Sequence, residues 1–267
     1  MTLDTDWTAL HLQLEWGADE ALVTDPVDRL LQPERVPLLP SRPAAVRVQP
    51  ETPVASLSPP HAGTPGEQAL AAAGAAQTLD ALRAAIAAFE HCALKQTASH
   101  LVFAEGNPES AVLLIGDPPG REEDRGGHPF AGPEGQLLDQ MLGSIGLRRE
   151  TLMLTPLIPW RPPGGRPANP AELALLLPFL HRLIALLGPA HVLILGNVAA
   201  KALLGQPPRR QAPVDWVDLR TPGLTSPVPA LVLPSPGELL KKPPLRRDAW
   251  RALRKLHRAL DAKPTNI

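Results

Sequence analysis

A single cysteine, Cys92, is all that the 267 residues hold. That excludes an intramolecular disulfide and any cluster held by several thiolates of this chain, and it fits a reducing cytoplasm. No metal and no cofactor is expected. Long apolar runs are also missing: no window approaches the roughly 18 uninterrupted apolar residues of a membrane span. The opening stretch MTLDTDWTALHLQLEW lacks the basic start and continuous apolar core of a signal peptide. A soluble, unexported, cytoplasmic protein with no membrane partner is the expectation. Nor is there an excess of either charge. The formal net charge is −1, so any binding to nucleic acid has to come from a local patch.

Local asymmetry is present. Residues 1–36 carry Asp4, Asp6, Glu15, Asp19, Glu20, Asp25, Asp28 and Glu34 against Arg29 and Arg35. Near the other end, Lys241, Lys242, Arg246, Arg247, Arg251, Arg254, Lys255 and Arg258 face Asp248. Within residues 1–23, Trp7, Leu10, Leu12, Leu14, Trp16, Ala21 and Leu22 stand among acids in the manner of a short amphipathic helix able to dock on a protein partner or on the body of the protein itself. Residues 24–77 are rich in proline, alanine and serine without a sustained period and read as a flexible linker. A folded domain is expected over 78–262, opened by Thr78 as the N-cap of TLDALRAAIAAFEHCALK, with residues 263–267 as a tail.

Inside that domain strands and helices alternate. AVLLIG (111–116) precedes a Gly/Pro loop and the helix EGQLLDQMLGSIGL; TLMLTPLIPW (151–160) precedes RPPGGRPANP and a long apolar helix over 171–188. HVLILG (191–196) leads into NVAAKALLG, and VPALVLPS (228–235) into a basic helix from about Leu245 to Leu260. This order predicts an α/β domain with a central parallel sheet covered on both faces. Ligands in such sheets bind beyond the carboxyl ends of the strands, so the post-strand loops are the candidate site.

The first of these loops, GDPPGREEDRGG, combines a strand-end carboxylate, Asp117, with stiffening prolines and glycines that let backbone approach a ligand. It lacks the lysine of a GxxxxGK[ST] phosphate loop and is not GxGxxG, which disfavours nucleoside triphosphates. The acids Glu122, Glu123 and Asp124 read as a solvated loop face, and His128 as a variable loop residue able to assist a leaving group. In the second loop Arg161 and Arg166 flank a rigid Pro162-Pro163-Gly164-Gly165 turn, suited to gripping phosphates or simply to turning the chain.

Four segments in fixed order, GDPPGREEDRGGHPFAGPEGQLLDQML, TPLIPWRPPGGRPANPAEL, PFLHRLIALLGPAHVLILGNVAAKALLG and LPSPGELLKKPPLRRDAW, resemble the type-4 uracil-DNA glycosylases and their relatives from about Phe89 to Leu260. The resemblance implies a three-layer α/β/α domain that flips a base out of DNA and hydrolyses its N-glycosidic bond, acting as a monomer with DNA as partner and localised to the nucleoid when so engaged. It places Asp117 at the family's water-activating glutamate and Phe130 at the aromatic that stacks on the base. Gly116 and Pro118 would line the base site, and Gly120, Arg161, Pro162, Pro163, Gly164, Arg166, Ser235, Lys241 and Lys242 would contact the strand. Three departures stand out. Pro156 occupies the place of the asparagine that reads uracil. Leu233 replaces the histidine that stabilises the departing base. Of the four cysteines that hold an iron–sulfur cluster in type-4 enzymes Cys92 matches one, while Phe89 and Leu176 fall where two others are expected.

Overall fold

The computed structural model describes residues 63–205 and 215–261. The amphipathic helix expected over 1–23, the linker up to residue 62 and the tail lie outside them.

Helices α1 (Pro65–Ala75), α2 (Leu79–Ala88) and the single turn α3 (Leu94–Thr97) come first, then strands β1 (Glu105–Gly106) and β2 (Val112–Gly116). Helices α4 (Arg121–Gly126) and α5 (Gly132–Gly143), strand β3 (Met153–Pro156), helix α6 (Pro170–Leu187), strand β4 (His191–Leu195) and helix α7 (Asn197–Leu204) follow. Strands β5 (Val217–Leu219) and β6 (Val228–Leu233) and helices α8 (Pro236–Lys241) and α9 (Arg246–Asp261) complete the described chain. The strands form one sheet in the order β1-β3-β2-β4-β6-β5.

The apolar runs read from the sequence are the four central strands, mutually parallel and buried as such strands must be when helices cover both faces. In register, Gly116 lies opposite Pro156 on one side and Leu195 on the other, so three strand ends finish level. Side chains alternate between two apolar layers. Leu113, Ile115, Met153, Val192, Ile194 and Ala230 pack with α1, α2, α6 and α7. Leu114, Leu154, Leu193, Leu195, Leu231 and Leu233 pack with α5, α8 and α9. The three-layer α/β/α expectation holds.

The central parallel sheet holds as well, and two short edge strands beyond it make the whole sheet mixed. β1 and β5 run antiparallel on the two edges, and with two and three residues neither is long enough to show a period. The helix expected from Thr78 stops at Ala88, because Phe89 turns to extended backbone and packs its ring edge-on against Phe179 at 5.3 Å. Part of GDPPGREEDRGG is helical as α4, closed by left-handed Gly127. Helix α6 is long and apolar enough to cross a bilayer by length and composition; Leu176, Phe179, Leu180, Leu183 and Ile184 are instead buried in the domain core.

Residues 65–75 correct the linker reading. Thr64 accepts from Glu67 N–H and the Glu67 carboxylate accepts from Thr64 N–H at 2.6 Å, a capping box that starts α1. Small Ala69 and Ala73 let α1 lie close on α6. Arg182 of α6 then holds the end of α1, donating to Ala76 O at 2.7 Å and Gln77 Oε1 at 2.9 Å. An alanine-rich stretch looks like linker because its buried face is only methyl groups. A carboxylate there would be buried without a partner: Ala69→Asp is expected to lower stability by roughly 3 kcal/mol, read as a shifted urea midpoint, and an unchanged midpoint would return this segment to the linker.

Candidate active site

The sequence-predicted residues that the fold brings together sit at the carboxyl edge of β2, β3, β4 and β6. Gly116 ends β2, and its missing side chain matters: a Cβ there would stand 2.7 Å from Cζ of Phe130. The Phe130 ring thus lies directly on the strand end, with its residue 6% exposed. Phe130 has φ +53°, the one non-glycine residue in the left-handed region among the described residues, a conformation costing about 1 kcal/mol or more.

Two groups hold it there. Glu123 accepts from Phe130 N–H at 2.5 Å through one carboxylate oxygen and from Gly120 N–H at 2.5 Å through the other. Arg149, just before β3, donates to Pro129 O at 3.0 Å and Phe130 O at 2.9 Å while its Nε donates to Asp139 at 3.0 Å. Burial pushes the Glu123 carboxyl up, against the pull of those two amides. Glu123 is therefore an internal clamp and not a solvated face. Its spacing from Gly120 is that of a capping box, the signal that marks it; Arg149 has no local signal at all. Asp124 is likewise buried, accepting from Ser99 N–H at 2.8 Å.

Asp117 follows Gly116 and turns toward β4 and α7. Its Oδ1 accepts from Ala199 N–H at 2.9 Å, in the first turn of α7. Gly196 precedes that helix with φ +116°, and a Cβ on it would fall 2.1–2.4 Å from the carboxylate atoms, so only glycine admits the contact. Burial lifts Asp117 from the ordinary 3.8 to about 6, with Glu238 and Glu134 adding repulsion and the α7 amides opposing it. Both glutamates come from neighbouring helix starts. Glu134 in the first turn of α5 lies against Gly237, and Glu238 of α8 accepts from Asn197 Nδ2 at 3.2 Å. The edge thus gathers three carboxylates and one carboxamide, of which the sequence marked Asp117.

Other expected contacts are placed differently. Pro156 closes β3 beyond the residues that β1 pairs, so its missing N–H costs no ladder bond on that side. Leu233 is 2% exposed and belongs to the apolar layer that includes Phe130. Ser235 caps α8, accepting from Glu238 N–H at 3.3 Å. Arg166 is paired with Glu172 at 2.9 Å, whereas Arg161 carries a buried Nε with no protein partner. Pro162, Pro163 and Gly164 form a tight turn, with Gly164 at φ +66°. Pro118 is half-buried, and Lys241 and Lys242 are exposed where α8 ends. His128 points away to Glu105 at 3.1 Å and stays exposed. An apolar cavity of about 20 Å³ lined by Phe103, Pro156, Leu176 and Phe179 belongs to the opposite layer and holds about one water, not a base.

The family model for the uracil DNA glycosylase superfamily matches residues 103–254, a span that contains every one of these strand ends. The chain belongs to the uracil-DNA glycosylase superfamily. Similar proteins include type-4 uracil-DNA glycosylases of Pyrobaculum aerophilum, 36% identical over 43% of this chain and 59% of that protein, and of Archaeoglobus fulgidus, 36% identical over 47% and 63%. That of Saccharolobus solfataricus is 30% identical over 71% of this chain and 89% of its own length. The chain thus spans less than two thirds of the first two relatives.

The four-thiolate cluster that the sequence resemblance implies does not fit the residues present. Phe89, Cys92 and Leu176 are all buried in one apolar layer, and burial pushes the lone Cys92 thiol up, away from the thiolate a metal needs.

The rise of Asp117 from 3.8 to about 6 corresponds to roughly 3 kcal/mol of instability in its charged form. Between those values the folded state binds the proton more tightly than the unfolded state, so stability falls as pH rises through this window. Asp117→Asn keeps the acceptor for Ala199 N–H and removes the charge. Its melting temperature is expected to exceed that of the parent at pH 8 and to match it near pH 3.5; equal melting temperatures at both would refute the buried-charge account.

Proposed function

We propose that the protein is a cluster-free DNA glycosylase that hydrolyses the N-glycosidic bond of a flipped, deaminated nucleotide. The observation that carries this reading is the pairing, at one strand end, of a stacking ring laid on Gly116 with a carboxylate raised to about 6. A carboxyl group tuned there is half ionised close to working pH, where a general base is most effective. In the proposed step Asp117 takes a proton from water, the water oxygen bonds to C1′ of the sugar, and the C1′–N bond breaks with its electron pair leaving on the base. Phe130 holds the flipped base by stacking, worth roughly 1–3 kcal/mol.

The same site argues against uracil as the best substrate. Pro156 offers no side-chain hydrogen bond to a base edge, which removes roughly 1–3 kcal/mol of discrimination. Leu233 donates nothing to a departing base, and loss of such a donor slows a step by roughly 10²–10³. Glu134 and Glu238 add negative charge where an anionic uracil would leave. A base such as hypoxanthine or xanthine, recognised through backbone left open in the turn between Gly116 and Gly120, such as the Pro118 carbonyl, suits this edge better. For strand contact Lys241, Lys242 and Arg161 are available, with the Pro162–Gly164 turn alongside. Arg166 and Ser235 first have internal partners to give up. We place the protein in the cytoplasm, acting as a monomer on single-stranded or damaged DNA.

Leu233 favours one further reading: a domain that keeps DNA binding without excision and recruits a partner through the acidic segment 1–23. A panel of uracil, hypoxanthine and xanthine in single- and double-stranded DNA separates the two. Excision is expected on at least one base, rising with pH through about 6 to a plateau and lost at least a hundredfold, as roughly 10²–10⁴ for a general base implies, in Asp117→Asn. Tight DNA binding with no base released at high enzyme would establish the second reading instead.

A further inference from the structure

Helix α9 presents two faces that differ in kind. Ala249, Ala252, Leu253 and Leu256 are buried against the sheet and α5. At 100° per residue the opposite half carries Arg247, Asp248, Trp250, Arg251, Arg254, Lys255, His257 and Arg258, with Arg246 at its margin. Trp250 is one of the few large apolar side chains left open on the described surface, 42% exposed. Arginines stand at −4, −3 and +4 from it, three of the four positions that neighbour the indole on the helix surface.

Most of these cations are not neutralised. Arg251 pairs with Asp248, Lys255 with Asp215, and His257 with Asp261. Arg246, Arg247, Arg254 and Arg258 have no ion pair among the described residues, nor do Lys241 and Lys242 at the end of α8. From Lys241 to Asp261 eight cations stand against two acids, Asp248 and Asp261, in a chain of net charge −1. A merely solvated face needs no indole among its cations. A row of unpaired guanidinium groups around an exposed aromatic has the chemistry of a single-strand platform: phosphates on the arginines, a base on the ring.

We propose that the outer face of α9 is a second DNA contact, gripping single-stranded backbone outside the base site with Trp250 as its stacking residue. The proposal rests on DNA as the partner. The stripe from Arg246 to Arg258 is about 18 Å long at 1.5 Å per residue, room for roughly five phosphates of a stacked strand at about 3.4 Å each. It follows α8, whose start forms part of the base site, so one strand leaving the site past Lys241 and Lys242 meets the stripe at Arg246.

The test uses the full chain and a fluorescein-labelled oligodeoxythymidine with no damaged base, read by anisotropy between about 50 and 200 mM salt, a range over which phosphate contacts are resolved. Trp250→Ala is expected to weaken binding about tenfold or more, and Trp250→Phe to restore most of it. Arg247→Ala with Arg254→Ala should reduce the slope of log affinity against log salt by about 1.4, at roughly 0.7 for each phosphate contact. Variants that bind with parental affinity and slope would overturn the second contact while leaving the base site intact. No binding by the parent chain would overturn DNA as the partner altogether. Polyglutamate competing as well as the oligonucleotide would also overturn the proposal, since it offers charge but no base to stack.

Discussion

The Asp117 carboxylate occupies space that a side chain on Gly196 would need, within 2.1–2.4 Å of where its Cβ would stand. This contact ties the end of β2 to the start of α7 across the middle of the sheet. With the parallel register that sets Gly116 level with Pro156 and Leu195, it fixes where every other group at the carboxyl edge can go. Two strand-end glycines therefore carry the site. Gly196 admits the carboxylate, and Gly116 admits the ring of Phe130. A methyl group at either would displace one half of the arrangement, and because close-packed interiors transmit strain the displacement would reach the other half.

Phe130 shows how loop geometry is maintained against local preference. Its left-handed backbone is unfavourable for an aromatic residue, and three partners over-determine it. Glu123 binds its N–H, Arg149 its carbonyl, and Gly135 provides the clearance, since a Cβ there would fall 1.7 Å from Phe130 O. Charge-assisted hydrogen bonds are worth roughly 1.5–3 kcal/mol each, enough to outweigh a strain of about 1–3 kcal/mol. The ring is held as a fixed platform, as the stacking role proposed for it requires.

How much of this the sequence discloses depends on how local each signal is. The central strands are continuous apolar runs, and α6 and α9 have long periodic faces, so their positions are legible and the strand ends with them. Cooperation over distance is not. The clamp on Phe130 requires Arg149 from the far side of α5, and the carboxylate group requires Glu134 and Glu238 from two helices separated by about half the domain. Neither pair is adjacent in the chain, so no spacing betrays it. Helix α1 hides for the opposite reason: its buried residues are alanines, whose burial leaves no hydrophobic contrast to read. His128 shows the converse: next to Pro129 and Phe130 in sequence, it is directed to Glu105 by the left-handed turn at Gly127, in keeping with the variable loop residue read from the sequence.

The chemistry at Asp117 can be separated from the folding by magnitude. Its hydrogen bond to Ala199 would be satisfied by an asparagine, so the fold explains the oxygen atom but not the charge. A negative charge at a helix start gains about 0.3–1 kcal/mol, yet with the α7 amides already included the rise from 3.8 to about 6 leaves the ionised form roughly 3 kcal/mol worse off. The charge is a net burden to stability at neutral pH. Sequences that specify a fold violate its rules chiefly where function requires it, and a buried carboxylate held between two glutamates, beside a ring kept in a strained conformation, is two such violations at one strand end. Leu233 and Pro156 are of another kind, since both suit their buried positions and neither strains the fold. The edge therefore keeps groups that are costly to keep, as a site shaped by chemistry would, whereas packing alone accounts for Pro156 and Leu233.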